Sequence, residues 1–266
     1  MKNKIRASAL FLCLLLLLMS TACGRGGSSY PVLDTLSTEK WNIAFRQGDS
    51  VGEIVTAALC ELAASGELSR LSSEYLGDDY SCLDGNAGAL ETLAAETEIP
   101  ERTLLIGVEA NSPPLSLFSG YMFSGFIPAL AEKVCETIGW DYQFIPVLPS
   151  DASVELASGN VDCVWVSAAF TESSSTAVSP GYLENEEWLI VRRDSGYASK
   201  RSLRGLDLAV TDSDNAAAVL KAAEQSDTFR AIWTYATPTE CFAALDNKSC
   251  SAVLMDSLIA QTIMYG

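Results

Sequence analysis

The sequence has no histidine and few positive charges. Among its 266 residues, 17 Lys and Arg stand against 34 Asp and Glu, so the formal net charge is −17. Without histidine, a Ser-His-Asp triad and most zinc sites are excluded. Nucleic acid is excluded as a partner, because binding its phosphates requires an excess of Lys and Arg. No nucleophile with a paired base is found either. We therefore predict a protein that is not an enzyme and that needs no metal or cofactor.

Cysteine spacings typical of metal sites are also missing. Besides Cys13 and Cys23, the chain has six cysteines: Cys60, Cys82, Cys135, Cys163, Cys241 and Cys250. Six thiols allow many disulfide pairings, and the sequence does not choose among them. Cys135 and Cys163 fall on apolar faces of predicted elements, which favours thiols packed in the core.

Residues 1–22 have the pattern of an export signal. Three positive charges precede the apolar run Leu10–Met19, and small residues precede Cys23. This order is similar to a bacterial lipoprotein cleavage site, after which Cys23 becomes the lipidated first residue. The apolar run is too short to span a bilayer core of about 30 Å. We predict an extracytoplasmic protein that contacts the membrane only through its lipid anchor, with a flexible tether over 23–29.

A strand, an open turn and a helix follow one another in Leu104–Gly139. The apolar residues from Leu104 to Val108 predict a strand buried on both faces, which ends at Glu109. Apolar residues at helical spacing predict a helix over 127–138, with Gly139 at its end. In open α/β sheets, ligands bind at the carboxyl ends of the strands. Glu109 and the residues after it are therefore candidates for a binding site.

The stretch 30–77 has the pattern strand, helix, helix. Trp41–Phe45 alternates like a strand, and Ser50 with Glu53 predicts a capping box at the start of a helix. The predicted buried stripe of that helix consists of Val51, Ile54, Val55, Ala58, Leu59 and Leu62. From residue 141 onward strands and helices alternate, which predicts parallel βαβ units and an α/β fold.

Two groups of residues near the first strand resemble a known family. Pro113-Pro114-Leu115 and Gly125-Phe126 are similar to the turn and the Gly-Phe pair that begin bacterial extracytoplasmic solute-binding proteins of family 3, the polar amino-acid type. Residues 103–265 resemble that domain from its beginning, whereas residues 31–77 resemble its last strand and two terminal helices. The resemblance implies a two-lobed α/β fold of the periplasmic-binding-protein-like type II class with permuted connectivity. A circular permutation and the remnant of a tandem pair both explain this order.

The resemblance also implies a domain organisation. Residues 30–77 complete lobe 1, residues 78–102 form a linker, residues 103–187 form the rest of lobe 1, and residues 188–266 form lobe 2. At about 3.3 Å per extended residue, the linker is long enough to cross a lobe with slack.

Nine positions match the ligand-binding positions of the family. They are Glu109, Asn111, Ser112, Ala169, Thr171, Ser174, Asp214, Asn215 and Asp256. The family holds the α-carboxylate of an amino acid with an Arg in a Thr-x-x-Arg pattern. Here the pattern runs from Thr171 to Ser174, so the Arg is missing, and Ala169 replaces a hydroxyl. Asp214 adds a carboxylate where the family binds an anion, which disfavours an anionic group.

Two acids remain at positions that suit a cationic group. Asp256 stands where the family binds the ammonium of its ligand, and a helix N-cap is an equal alternative for it. Glu109 follows the first strand, and a solvated loop acid is the alternative there.

The resemblance implies the lipid-anchored solute-binding component of an ABC importer. Its partners are then a small polar solute and the permease subunits, and the chain acts as a monomer whose lobes close around the solute. Because the Arg is missing while Glu109 and Asp256 are present, we predict a cationic or neutral solute, amino-acid-like or another amine. The alternative is a ligand-blind module that acts as a surface interaction or sensory domain.

Overall fold

The computed structural model describes residues 29–166, 170–211 and 213–265. The predicted signal peptide, Cys23 and Ala169 lie outside the described residues, and so do the side chains of Ser213 and Asp214. No helix among the described residues is long and apolar enough to cross a membrane.

The described residues alternate between strands and helices along most of the chain. In order, they form β1 (Val32–Trp41), β2 (Ala44–Arg46), α1 (Val51–Ala64), α2 (Glu67–Leu76), α3 (Ala89–Glu96), β3 (Thr103–Val108), β4 (Asn111–Ser112), β5 (Ser116–Ser119), β6 (Met122–Ser124), α4 (Phe126–Ile138), β7 (Asp141–Pro146), α5 (Ala152–Ser158), β8 (Cys163–Trp165), β9 (Thr176–Val178), β10 (Leu183–Ile190), β11 (Asp207–Val210), α6 (Ser213–Ala222), β12 (Ala231–Thr234), α7 (Pro238–Asp246), β13 (Ala252–Asp256) and α8 (Ser257–Tyr265). Short 3-10 helices lie at Pro149–Asp151, Arg193–Ser195 and Lys200–Leu203.

Lobe 1 is built on a five-stranded mixed sheet with the order β7-β3-β8-β2-β9. Strands β3, β7 and β8 are parallel, whereas β2 is antiparallel to both of its neighbours. Leu104, Ile106 and Val108 of β3 are fully buried, in agreement with the predicted buried strand. They share one hydrophobic core with α1 and α4.

Lobe 2 is built on a second five-stranded sheet with the order β1-β10-β13-β11-β12. Strand β11 is parallel to β12 and β13, as expected for βαβ units, while β10 is antiparallel to β1 and β13. Val253 and Met255 of β13 lie in one hydrophobic cluster, and Ala252 and Leu254 lie in another. The sheet is therefore covered on both faces, and the predicted α/β class with two lobes is confirmed.

Two antiparallel strands, β1 and β10, connect the lobes. Trp41 at the end of β1 and Leu183 at the start of β10 lie in the core of lobe 1. At the opposite ends, Val32 and Ile190 pack in the core of lobe 2. The two strands pair with each other from one lobe to the other. We call these two strands, which join the lobes, the hinge strands, and residues on them lie between the lobes.

The strand predicted over Trp41–Phe45 is interrupted in the structure. β1 ends at Trp41 and β2 begins at Ala44, because the backbone between them bonds outside the ladder: the N–H of Ile43 donates to Ser179 Oγ at 3.0 Å. Residues 32–40, which we expected in lobe 1, instead pair with β10 at the edge of the lobe 2 sheet.

Helix α1 has the predicted buried stripe but not the predicted cap. The six predicted apolar residues are its buried residues. Ser50 has a helical conformation and makes no side-chain cap hydrogen bond, so the predicted capping box is wrong. Asp49 caps the helix instead, because its Oδ1 accepts a hydrogen bond from the N–H of Val51 at 3.0 Å.

Asp162 ties the first segment of the chain to lobe 1. Its Oδ1 lies 2.9 Å from Arg46 Nη2 of β2 and 2.8 Å from Arg102 Nη2. Its Oδ2 accepts a hydrogen bond from the N–H of Leu105 in β3 at 2.9 Å. Burial by itself would raise the pKa of Asp162, but the Leu105 N–H and the two guanidinium groups together lower this pKa. The carboxylate is thus a charged junction between three segments.

Residues 78–102, the predicted linker, contact lobe 1 at several places. Ser81 forms an isolated bridge with Leu183 at the start of β10. Helix α3 lies against α1, where the N–H of Leu90 donates to Glu61 Oε1 at 2.9 Å.

The turn before α4 requires a glycine. Gly125 has a φ of +116°, and a Cβ at this position would lie 2.7 Å from the carbonyl oxygen of Leu115. Helix α4 begins at the next residue and ends at Ile138, after which Gly139 is left-handed with a φ of 84°. The predicted end of this helix is confirmed.

The six cysteines of the described residues are free thiols. Cys135 and Cys163 are fully buried, in agreement with the predicted packing. Burial raises the pKa of Cys135 to about 12, so this thiol is a core group and not a reactive one.

Candidate functional site

A cleft of about 680 Å³ lies between the two lobes. The turn after β3 and Pro149 form its lobe 1 wall, the hinge strands contribute to its floor, and the first turns of α6 and α7 line its lobe 2 wall. Five of the nine predicted site residues line it: Glu109, Asn111, Ser112, Asn215 and Asp256.

The lobe 1 wall presents one acid and one buried hydroxyl. β3 ends at Val108, which places Glu109 just past the carboxyl end of the strand, and Ser112 follows on β4. Ser112 is only 5% exposed. Its Oγ has no hydrogen-bond partner among the described residues. A buried hydroxyl without a partner costs free energy, so Ser112 is suited to a ligand that supplies the missing hydrogen bond.

The hinge strands supply two further acids, Glu39 and Glu187, which the sequence reasoning missed. Glu39 of β1 lies opposite Asn185 of β10, and Glu187 of β10 lies opposite Asp256 of β13. Glu187 is only 4% exposed although it lines the cleft. Three carboxyl groups from three adjacent strands therefore meet the cleft near the hinge.

Neutral donors hold these carboxylates in place. Asn185 Nδ2 donates to Asp256 Oδ1 at 2.5 Å, and Ser257 Oγ donates to Asn185 Oδ1 at 3.2 Å. Trp41 Nε1 donates to Glu39 Oε1 at 2.6 Å. Amide, hydroxyl and indole groups fix the geometry of the acids without neutralising their charge.

The ionisation of Asp256 is shifted strongly. Burial raises its pKa to about 7; the hydrogen bond from Asn185 opposes this rise, and the nearby carboxylates of Glu39 and Glu109 add to it. Like charges close together disfavour the ionised form of each. A cation in the cleft would relieve this repulsion.

The lobe 2 wall is polar and is built on helix starts. Helix α6 begins at Ser213, so Asp214 and Asn215 lie in its first turn. Asn215 Nδ2 donates to Glu187 Oε1 at 3.0 Å. Thr237, which also lines the cleft, caps α7 by accepting a hydrogen bond from the N–H of Glu240. The side-chain amide of Asn215 therefore donates a hydrogen bond to a carboxylate of the protein itself.

The cleft is acidic and contains no compensating cation in the described part of the chain. Four carboxyl groups line it, and none of the described lining residues is Lys, Arg, Phe, Tyr or Trp. The sequences at the two gaps, Ser167–Ala169 and residue 212, also contain no Lys or Arg. We call the cavity formed by Glu39, Glu109, Glu187 and Asp256 the acidic cleft. Its potential attracts cations and disfavours anions.

Thr171 and Ser174 are not among the residues that line the acidic cleft. Both are exposed in the segment before β9. The N–H of Ser173 donates to the carbonyl of Thr176, and the N–H of Gln47 donates to that of Ser175. These bonds bend the segment into a tight turn against the end of β2, away from the cleft.

Asn42 holds the other end of that segment, and its role was not predicted. Its Nδ2 donates to the carbonyl of Phe170 at 2.8 Å, and its Oδ1 accepts from the N–H of Phe170 at 2.8 Å. A side-chain amide that pairs with both backbone groups of one residue fixes the path of the chain there. The only sequence signal was a polar residue inside an apolar strand pattern.

Comparison with protein families gives a match over the centre of the chain. The family model described as bacterial extracellular solute-binding proteins, family 3, matches residues 104–236, which is half of the chain. The curated proteins contain no match.

Solved structures of similar architecture have low sequence identity to this chain. The structure of Tv2483 bound to L-arginine is 22% identical, with 67% of this chain and 72% of that chain covered and a TM-score of 0.50. The P235GK mutant of ArgBP from T. maritima is 20% identical, with 65% and 74% covered and a TM-score of 0.49. A substrate-binding protein of an ABC uptake transporter from Streptococcus pneumoniae, with bound histidine, is 22% identical, with 60% and 68% covered and a TM-score of 0.48. Tv2483 has a fold similar to that of this chain. At 22% identity, the similarity concerns the fold alone.

Two α/β lobes, two crossing strands and a cleft between the lobes define a binding protein of the type II periplasmic class. The chain belongs to the bacterial extracellular solute-binding proteins, family 3. Its role is therefore solute binding outside the cytoplasm, and it is a binding protein rather than an enzyme.

Proposed function

We propose that the chain is the lipid-anchored solute-binding component of an ABC importer and that it holds a small cationic or neutral polar solute in the acidic cleft. The observation that carries this proposal is the charge of the cleft: four carboxyl groups and, among the described lining residues, no Lys or Arg. A carboxylate-bearing solute would lose a charged hydrogen bond worth about 1.5–3 kcal/mol and would meet repulsion.

The positions of the acids support closure of the lobes around the solute. Glu109 belongs to lobe 1, Asp256 ends a strand of lobe 2, and Glu39 and Glu187 lie on the hinge strands. A cation bound between Glu109 and Asp256 contacts both lobes only when they are close. Its binding energy therefore favours the closed arrangement.

A thermal-shift screen of the full chain in detergent tests the choice of solute. A ligand that binds only the folded state raises stability by RT ln(1+[L]/Kd). We expect lysine, arginine, glutamine or simple amines to raise Tm and glutamate and aspartate to leave it unchanged. If the acidic amino acids give the largest shift, the proposal is wrong. If no solute in the screen gives a shift, the ligand-blind interaction module becomes the better account.

The anchor and the permease are proposed from the sequence and the family. The order of charged, apolar and small residues before Cys23 supports lipidation at that thiol. A Cys23→Ser variant should move from the membrane fraction to the soluble fraction of fractionated cells. Retention of the variant in the membrane at wild-type levels would contradict lipid anchoring. A monomer in size-exclusion chromatography is the expected oligomeric state.

The permuted connectivity is also a proposal, and the position of β2 supports it. β2 lies inside the lobe 1 sheet, between β8 and β9, although it precedes β3 in the chain. Helix α1, which follows β2, buries its apolar stripe in the lobe 1 core. We propose that residues 31–77 stand in the place of the family's C-terminal segment.

A further inference from the structure

The carboxylates of the acidic cleft do not converge on one point. Among the described residues there is no group of three Asp, Glu, Cys or His side chains arranged to hold a single metal ion. The cavity, at about 680 Å³, is also far larger than an inorganic cation. The charges are instead spread from Glu109 in lobe 1 to Glu187 and Asp256 on the lobe 2 side. This spacing suits a ligand whose own charges are separated.

The residues that line the cleft also favour primary amines over other organic cations. Guanidinium and quaternary ammonium groups are commonly held against aromatic rings. The described residues of the cleft include no aromatic ring, and their polar groups are carboxylates, amides and hydroxyls. An ammonium group with three N–H donors matches such acceptors.

Ser112 provides an independent sign that a ligand belongs in this cleft. It is 95% buried, lines the cavity, and leaves its Oγ without a partner among the described residues. It lies on the same wall as Glu109. Ser112 Oγ is itself buried, so a primary amine bound to Glu109 donates a second hydrogen bond to it only after the Ser112 side chain turns toward the cavity.

We infer that the acidic cleft takes a linear diamine, a dication with a primary amine at each end and no carboxylate. This inference rests on the proposed solute-binding function and narrows its substrate class. One ammonium group binds Glu109 and Ser112 on lobe 1. The other binds Glu187 and Asp256 on the lobe 2 side, with Glu39 adding to the potential. An amino acid with the same two amines has a carboxylate for which the described cleft residues offer no cation.

Matched pairs of ligands test the inference by calorimetry on the full chain in detergent. Ornithine is 1,4-diaminobutane with one added carboxylate, and lysine has the same relation to 1,5-diaminopentane. Butylamine lacks one of the two amines. We expect each diamine to bind at least about tenfold more tightly than its amino acid and at least about tenfold more tightly than butylamine.

Each other outcome has a defined meaning. If ornithine or lysine binds as tightly as its diamine, the inference is overturned and the proposed cationic solute stands. Tightest binding of neutral glutamine also overturns the inference, and it leaves a neutral polar solute as the ligand of the proposed function. Tight binding of glutamate overturns both the inference and the proposed function.

A pair of serine variants tests the role of the buried hydroxyl. Ser112→Ala should weaken diamine binding several-fold while leaving the Tm of the unliganded chain unchanged or higher, because it removes an unpaired buried oxygen. The control Ser73→Ala changes an exposed serine of α2 and should alter neither quantity. Unchanged diamine affinity in Ser112→Ala would overturn the assignment of this side chain to the ligand.

Discussion

At the scale of single residues, Asp256 links the chemistry of the cleft to pH. Burial and the carboxylates of Glu39 and Glu109 raise its pKa to about 7, and Glu187 lies opposite it across the ladder. A cation binds the ionised form. Affinity for a cationic solute should therefore rise between pH 6 and pH 8 and level off above that range. Calorimetry at several pH values checks this, and an affinity that falls over the same range would contradict it.

The same group should make the unliganded fold less stable as pH rises. The pKa of Asp256 is higher in the folded state than the value of about 3.9 expected in the unfolded chain. Its stabilising contribution is therefore complete below about pH 4 and is lost as pH rises through about 7. The Asp256→Asn variant lacks this dependence. The Tm of Asp256→Asn minus the Tm of the wild type should therefore increase from pH 5 to pH 8. A decrease of this difference over the same range would contradict the prediction.

The contribution of Asp162 to stability should depend on pH in the opposite direction to that of Asp256. Its pKa is lowered, so its contribution is present above the unfolded-state pKa and is lost as pH falls through the folded-state value. Asp162→Asn should reduce the free energy of unfolding at pH 7 by about 2–3 kcal/mol, since it weakens charged hydrogen bonds from Arg46, Arg102 and Leu105. Urea denaturation measures the loss, which should shrink near pH 3. The exposed Asp227→Asn serves as the control and should change stability by less than about 0.5 kcal/mol.

At the scale of elements, helices were easier to predict than site residues. The apolar stripe of α1 was predicted correctly because helical periodicity reports burial directly. The end of α4 was predicted from the glycine that stops it. The cap of α1 was missed because Asp49 and Ser50 are both good caps and only the backbone geometry distinguishes them.

The acids of the hinge could not be predicted from the sequence. Glu39 and Glu187 lie in strands that mix charged, polar and apolar residues without regular alternation, so the pattern does not show which face each side chain is on. Only the pairing of β1 with β10 and of β10 with β13 turns them toward the cleft. Thr171 and Ser174 were expected in the site because their chain positions match the family, but a tight turn places them outside it.

The first segment of the chain is expected to be indispensable for folding. β2 is an interior strand of the lobe 1 sheet, and α1 covers the core with six buried residues. Burying the Val, Ile and Leu side chains among them contributes about 1.5–3 kcal/mol each, which together is comparable to the net stability of a domain. Deleting residues 30–77 should abolish cooperative unfolding in circular dichroism. A deletion variant that melts cooperatively near the wild-type temperature would show that the segment is dispensable.

At the scale of the whole molecule, the negative charge of the acidic cleft is coupled to the position of the two lobes. Glu109 of lobe 1 and the acids of β1, β10 and β13 repel one another, and a cation between them reduces this repulsion. The two hinge strands carry Glu39 and Glu187, so the solute contacts the connection between the lobes as well as the lobes themselves. Solute binding and lobe closure should therefore occur as one event.

The most direct test of this account is a titration of the tightest-binding solute into Glu109→Gln and into a matched control. Glu91→Gln is the control, because Glu91 is an exposed acid of α3 away from the cleft. Both variants remove one negative charge from the chain, so a general effect of net charge is the same in both. If the acidic cleft binds the solute, Glu109→Gln should lose at least about tenfold in affinity while Glu91→Gln stays within about twofold of wild type. Equal affinities in the two variants would contradict the placement of the solute in this cleft.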